Sequence, residues 1–333
     1  MCYTRAVLAE MPEGYSDRIA LVGPTASGKT AVGIPLAARL GAEIVSADSM
    51  QVYRQMDIGT AKPTAVERRQ AVFHAIDVAD PDQDWTLSDY QQYGNEACRA
   101  IKARGRVPLI VGGTGLYVRA LTTILDIPIT PPDEGFRARW REFAETNGNA
   151  ALLARVAEVD PETAARLHVN DIGRQVRALE VHAASGRTLT ELHAENRARQ
   201  PAASARLFGL GFTDRALLYQ RIEARVEQML AEGLLDELRG LLARGFNTSH
   251  KPLRSLGYRH MAAYLAGETS FAESVAAMKQ DTRRFARRQL IWFRGDPRVH
   301  WIMADDKSAG QIADEIYAQI QVLRQHKGEI ASQ

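Results

Sequence analysis

The chain has 333 residues, 45% hydrophobic and 25% charged, which suits a soluble protein of one large α/β domain with an insertion, or of two domains. No apolar run reaches the length of a membrane span, and Met1 to Glu10 lacks the pattern of a secretory signal, so the cytoplasm is the expected compartment. Cys2 and Cys98 are too few for a disulfide scaffold or a Cys-rich zinc module, and a net charge of +2 does not by itself announce a nucleic-acid partner.

Ile19, Ala20, Leu21 and Val22 run apolar into a Gly/Ser-rich turn, so Arg18 to Val22 reads as a short buried strand. A helix is predicted over Lys29 to Leu40, with a kink at Pro35, which removes a backbone donor at a cost of about 3 kcal/mol. Glu43 to Ala47 reads as a second strand ending at Asp48, Leu87 to Arg104 as a helix, and Val107 to Val111 as a third strand running into Gly112-Gly113-Thr114-Gly115. Strands separated by helix-length segments predict an α/β fold with a doubly wound parallel sheet.

The pattern changes after Leu125. Asp126 to Pro132 reads as a linker, and helical periodicity without a strand-like run continues to about Arg199. The predicted organisation is a catalytic core of residues 1–124 and 200–333 with a helical insertion of residues 125–199. Within the returning core, Leu207 to Leu210 reads as a strand and Asp214 to Ala243 as one long helix. Further helices are predicted over Tyr258 to Ala266 and Phe271 to Phe293, then a strand over Val299 to Met303 and a closing helix to about Arg324. Arg283, Arg284, Arg287, Arg288, Arg294 and Arg298 face a single acid, Asp296, in the same segment, which makes a local basic patch. On a helix such a run is also commonly a plain solvated face.

Gly23-Pro24-Thr25-Ala26-Ser27-Gly28-Lys29-Thr30 fits the phosphate loop G-x-x-x-x-G-K-[ST] in full, between the strand and the helix that the motif requires. Its amides and the helix N-terminus would cradle a polyphosphate, Lys29 would neutralise it, and Thr30 could reach Mg²⁺. Alone, the loop suggests ATP or GTP and phosphoryl transfer. Asp48, at the carboxyl end of its strand, stands beside the opening of this loop. Such an aspartate can hold Mg²⁺, accept a proton or cap a turn, and position alone does not choose.

The phosphate loop, Asp48-Ser49-Met50-Gln51-Val52-Tyr53-Arg54, Met56 to Pro63 and Gly112 to Tyr117 resemble the bacterial-type tRNA dimethylallyltransferases in order and spacing. Arg177 to Glu180, Ser255 to Arg259 and Arg288 to Arg294 resemble the family's later blocks, so matching blocks run from about residue 18 to 303. One block departs: many members read Asn-Asp-Pro-Gln-Arg where this chain has Asn170-Asp171-Ile172-Gly173-Arg174. The glutamine side chain expected to touch tRNA is therefore missing at Gly173. The zinc-finger spacing of the longer eukaryotic relatives is also missing.

The resemblance implies a P-loop NTPase-like core that binds dimethylallyl diphosphate, with Mg²⁺, and transfers the prenyl group to N6 of the adenosine immediately 3′ of the anticodon. It makes Asp48 the general base, Thr25 a contact to the bridging region of the diphosphate, and Arg221 a further diphosphate-binding residue. It places Asp48, Ser49, Met50, Gln51 and Thr114 against the tRNA anticodon stem-loop. It places there also Gly173, Arg174, Gln175, Val176 and Arg177, then Arg254, Ser255, Leu256, Gly257, Tyr258 and Arg259. The last such block is Arg287, Arg288, Gln289, Leu290, Ile291, Trp292, Phe293 and Arg294, although Trp292 and Phe293 are equally plausible core residues. Because N6 is inaccessible in a stacked loop, the target base must leave its stack. No membrane partner is implied, and nothing demands more than a monomer. An enzyme prenylating free adenylate would share the core without needing the insertion or the basic block. A kinase would turn over ATP, and a non-enzymatic tRNA-binding module would leave the phosphate loop without a purpose.

Overall fold

The apolar run at the start of the first block forms β1 (Ile19–Val22), buried at every position, as a strand covered on both faces requires. The structure is a computed structural model; it describes residues 18–125, 133–199 and 205–330, with side chains to residue 323. Met1 to Glu10 and the predicted linker over Asp126 to Pro132 lie outside the described residues. The chain divides into two compact units, Met1–Thr123 with Ala203–Gln333, and Ile124–Ala202.

In the first unit, β1 leads through the phosphate loop into α1 (Lys29–Leu40). Then follow β2 (Ala42–Ala47), α2 (Ala65–Gln70), β3 (Phe73–His74), α3 (Leu87–Ala103), β4 (Val107–Gly112) and α4 (Gly115–Thr122). α1 is continuous across Pro35; Val32, Ile34, Leu36 and Leu40 are buried in the core and offset the lost backbone bond. The short α2 has a capping box between Thr64 and Glu67. Together with β3 and α4, it is an element the sequence pattern did not single out.

The second unit is helical among its described residues: α5 (Glu134–Asn147), α6 (Asn149–Val159), α7 (Pro161–Arg166), α8 (Ile172–Ser185) and α9 (Leu189–Ala198). Leu152, Val156, Val176 and Leu179 form its buried core with Trp140 and Phe143 packed against it. Glu180 is buried there. Burial alone would raise its carboxyl, but hydrogen bonds from Arg137 and Arg177 outweigh that and hold it below the usual carboxylate range.

The first unit resumes with β5 (Arg206–Gly211), α10 (Arg215–Ala231) and α11 (Leu234–Ala243). The helix predicted from Asp214 to Ala243 is thus two. Gly233 lies between them at φ 100°, a left-handed conformation that ends one helix and opens the next. α12 (Tyr258–Leu265), α13 (Phe271–Arg294), β6 (Val299–Met303) and α14 (Ala309–Ile330) complete the unit, α14 running past the predicted end near Arg324.

All six strands are parallel, in the order β3-β2-β4-β1-β5-β6. Register makes three of them finish together: Val22 and Ala47 both pair with Gly112. Gly23, Asp48 and Gly113 therefore leave the sheet at one level, on the carboxyl side where ligands of open parallel sheets bind. Gly112 is confined to glycine by this closeness, since a Cβ there would lie 2.2 Å from the Ala47 carbonyl oxygen.

Candidate active site

Above those strand ends the first unit encloses a cavity of about 1350 Å³. Its floor is the phosphate loop. Ala26 and Gly28 have φ of 62° and 87°, so the loop curls into a concave run of amides. Gly28 caps α1 without a side-chain hydrogen bond, which leaves the first-turn donors of the helix facing the cavity. Gly23 lets the loop pass close to β5: a Cβ would sit 3.1 Å from the Leu210 carbonyl oxygen. Gly28, Lys29 and Thr30 line the cavity.

Lys29 Nζ donates to the Pro24 carbonyl at 2.7 Å. Its side chain is half-buried, but the ammonium turns inward, and burial first, then Arg225, lowers it to about 7, with Asp48 opposing. Between about pH 7 and the ordinary value of 10.5 the folded chain binds fewer protons than the unfolded one, so this group's contribution to stability rises with pH across that window and is least favourable below it. An anion beside Nζ reverses the shift. Pyrophosphate binding at about pH 8 is expected to take up a proton and to weaken as pH rises further. Calorimetry in two buffers of different ionisation enthalpy measures the uptake, and the same uptake in Lys29→Met would remove Lys29 as its source.

Asp48 follows β2 directly and lines the cavity. Its Oδ1 accepts from the Met50 amide at 2.9 Å, so it does cap a turn, while its other oxygen accepts no hydrogen bond among the described residues. Thr114 Oγ1 accepts from the Ser49 amide at 3.1 Å and ties the Asp48 turn to the β4–α4 turn. Gln51 serves its own loop, accepting from Ser46 Oγ and donating to the Thr60 and Ala61 carbonyls.

The arginine that α10 contributes to the cavity lining is Arg225. Arg221 packs its guanidinium over the Phe212 ring at 5.0 Å and is not in the cavity wall. Arg225, one turn later, lines the cavity with Ile222, Val226 and Met229. Burial lowers its pKa, partly offset by Asp48, and its Nε is buried with no hydrogen-bond partner. A desolvated guanidinium with an unmatched donor suits an incoming anion. Arg221 and Arg225, at i and i+4, are one turn apart on α10.

The opposite wall is held by Glu237. Its carboxylate accepts from the Asp57, Ile58 and Gly59 amides at 2.8, 2.8 and 3.1 Å and from Tyr258 Oη at 2.6 Å. Gly59 comes so close to Tyr258 that a Cβ would lie 2.5 Å from the ring. Glu237→Ala is expected to lower unfolding free energy by roughly 2–4 kcal/mol in urea denaturation. A change below roughly 0.5 kcal/mol, the size of an ordinary surface substitution, would mean that the loop is held by other contacts.

The residues expected against tRNA divide by exposure. Arg287, Arg288, Arg294, Ile291 and Trp292 are exposed on α13, and Arg254 and Arg259 are exposed around the start of α12. Ser255 and Leu256 line the cavity. Tyr258, Gly257 and Phe293 are buried, and Leu290 packs against the core; Phe293 is therefore the core member of the Trp292-Phe293 pair. In the second unit Gly173 and Arg174 are exposed and Arg177 is half-buried, but Gln175 and Val176 are buried. Gln175 Nε2 donates to the His168 and Val169 carbonyls, so it supports the preceding turn and does not present a side chain. The basic patch is smaller than its sequence suggests. Arg283 pairs with Glu223, Arg284 with Asp281 and Arg298 with Asp296, which leaves Arg287, Arg288 and Arg294 without an ion pair among the described residues.

A parallel sheet with a phosphate loop at its switch point, and with Lys29, Arg225 and Asp48 on one cavity, defines a phosphate-loop protein. The IPP transferase family model matches residues 51–296 and the isopentenyl transferase model residues 17–72. The chain belongs to the IPP transferase family. It is 46% identical over 295 residues to a tRNA dimethylallyltransferase of Geobacter metallireducens, covering 88% of this chain and 94% of the relative. With one of Symbiobacterium thermophilum it is 43% identical over 316 residues, or 94% and 98% of the two chains. Among solved structures, the tRNA isopentenylpyrophosphate transferase of Bacillus halodurans is 36% identical with a TM-score of 0.70, covering 95% of this chain and 99% of that one. A eukaryotic dimethylallyltransferase at 23% identity shares the fold, with a TM-score of 0.70 over 87% of this chain and 74% of that one.

Proposed function

We propose that this chain transfers the dimethylallyl group of dimethylallyl diphosphate to N6 of the adenosine immediately 3′ of the anticodon in tRNA, giving N6-isopentenyladenosine and diphosphate. The observation that carries the reading is one cavity with an anion cradle at its floor, apolar walls from Ile222, Val226 and Met229, and Asp48 beside the cradle. The diphosphate lies on the loop amides with Lys29 and Arg225, and the five-carbon tail lies against the apolar wall. As the bond from C1 to the diphosphate oxygen breaks, negative charge grows on the leaving group, and the two cations and the amides stabilise it. The new bond forms between C1 and N6, and the N6 proton passes to the Asp48 oxygen that does not cap the turn.

The reading includes Mg²⁺. Among the described residues no group of three His, Cys, Asp or Glu side chains gathers to hold a metal, so a protein cage is not what would bind it. Mg²⁺ is commonly held by one or two protein oxygens with substrate phosphates and waters, and the Thr30 hydroxyl in the first turn of α1 fits that role. Bound there it would offset charge on the departing diphosphate.

On the tRNA side, Arg287, Arg288 and Arg294 supply unpaired charge and Trp292 an exposed ring, the combination that recognises single-stranded loops. The family resemblance assigns Arg174 and Arg177 of the helical unit to tRNA as well. No helix among the described residues is long and apolar enough to cross a membrane. In the proposed function the protein acts as a monomer in the cytoplasm, where tRNA is found.

The test is incubation with Mg²⁺, radiolabelled dimethylallyl diphosphate and either unmodified tRNA or AMP. Label at the adenosine beside the anticodon supports the reading. Label in AMP alone selects a free-adenylate prenyltransferase, and label in neither, with ATP turnover, selects a kinase.

A further inference from the structure

Gln289 stands in the block that the family resemblance assigns to tRNA, yet its side chain is buried and turned to the phosphate loop. Its Oε1 accepts from the Thr25 amide at 2.8 Å and its Nε2 donates to the Gly113 carbonyl at 3.0 Å. One primary amide thus closes two loops that leave adjacent strands, β1 and β4. The fit is tight: a Cβ on Gly113 would lie 2.2 Å from Gln289 Nε2 and 3.2 Å from the Gly23 carbonyl oxygen. The neighbours of Gln289 on α13, Arg287, Arg288 and Trp292, are exposed, while Gln289 lies on the buried face with Thr282, Ala286 and Phe293.

We propose that Gln289 is a positioning residue for the diphosphate loop: by holding the Thr25 amide and the Gly113 carbonyl it fixes where the Thr25 side chain points into the cradle. The inference rests on the prenyl-transfer reading for the identity of the anion, and its test is independent of tRNA. An amide with both of its polar ends matched by backbone is specific in a way that a packing residue is not. A shape-preserving change that removes both bonds leaves a buried donor on Thr25 and a buried acceptor on Gly113 unmatched, and the loop shifts to recover them.

The experiment is binding of inorganic pyrophosphate with Mg²⁺, without tRNA, to the wild-type chain, to Gln289→Met and to Gly113→Ala. The first variant removes the hydrogen bonds from the α13 side. The second displaces the amide from the sheet side without changing a residue of α13. Both are expected to weaken pyrophosphate by about tenfold, the equivalent of one or two hydrogen bonds, with thermal unfolding still cooperative. In steady state, both are expected to raise KM for dimethylallyl diphosphate more than KM for tRNA. Unchanged pyrophosphate affinity in either folded variant, or a rise confined to KM for tRNA, overturns the role. Failure of the wild-type chain to bind pyrophosphate would overturn instead the prenyl-transfer reading.

Discussion

Asp48→Asn is expected to lower prenyl transfer by roughly 10²–10⁴-fold, the usual worth of a positioned general base, while pyrophosphate still binds. Asn keeps an oxygen that can accept from the Met50 amide, so the turn survives and only the proton acceptor is lost. Asp48→Ala removes both. Equal losses in the two variants identify the base, whereas a loss in Ala alone would reduce Asp48 to its turn cap. Pyrophosphate affinity should not fall in either, because removing a carboxylate near Lys29 and Arg225 leaves two cations with less competition for an anion. Single-turnover rates with bound complex, alongside equilibrium binding, separate these outcomes.

The second large effect concerns the choice between two arginines a turn apart. Arg225→Ala is expected to reduce kcat/KM for dimethylallyl diphosphate by roughly 10²–10³-fold, since it removes a preorganised donor aimed at developing negative charge. Arg221→Ala loses a cation–π contact to Phe212 and is expected to change kcat/KM only a few-fold, with an effect on stability of about 1 kcal/mol or less. Steady-state kinetics at saturating tRNA decide it, and a larger loss in Arg221→Ala would return the diphosphate role to that residue.

Much of this was legible in the residues because the strands are short apolar runs and the phosphate loop is a fixed pattern. β6 has its predicted bounds, and β1, β2, β4 and β5 differ from expectation by a residue or so at an end. What escaped was set by tertiary contact. β3 has only two residues and exists because β2 offers it an edge, so no periodicity announces it. Gly233 breaks a helix that hydrophobic spacing alone would carry through. In the site, Lys29 and Asp48 could be found because motif and strand end point to them, but Arg225 and Gln289 are defined by where a helix lies over the sheet. Phe293 and Trp292 are adjacent in sequence and opposite in fate for the same reason.

The level finish of Val22, Gly112 and Ala47 makes the sheet a ruler. Neighbouring strands lie about 4.8 Å apart, so the loop after β1 and the aspartate after β2, with β4 between them, start roughly 10 Å from each other. That span is measured out by the backbone hydrogen bonds of the sheet. In the proposed mechanism the interval between the leaving group and the proton acceptor is therefore a property of the sheet, and the loops above can vary in sequence without resetting it.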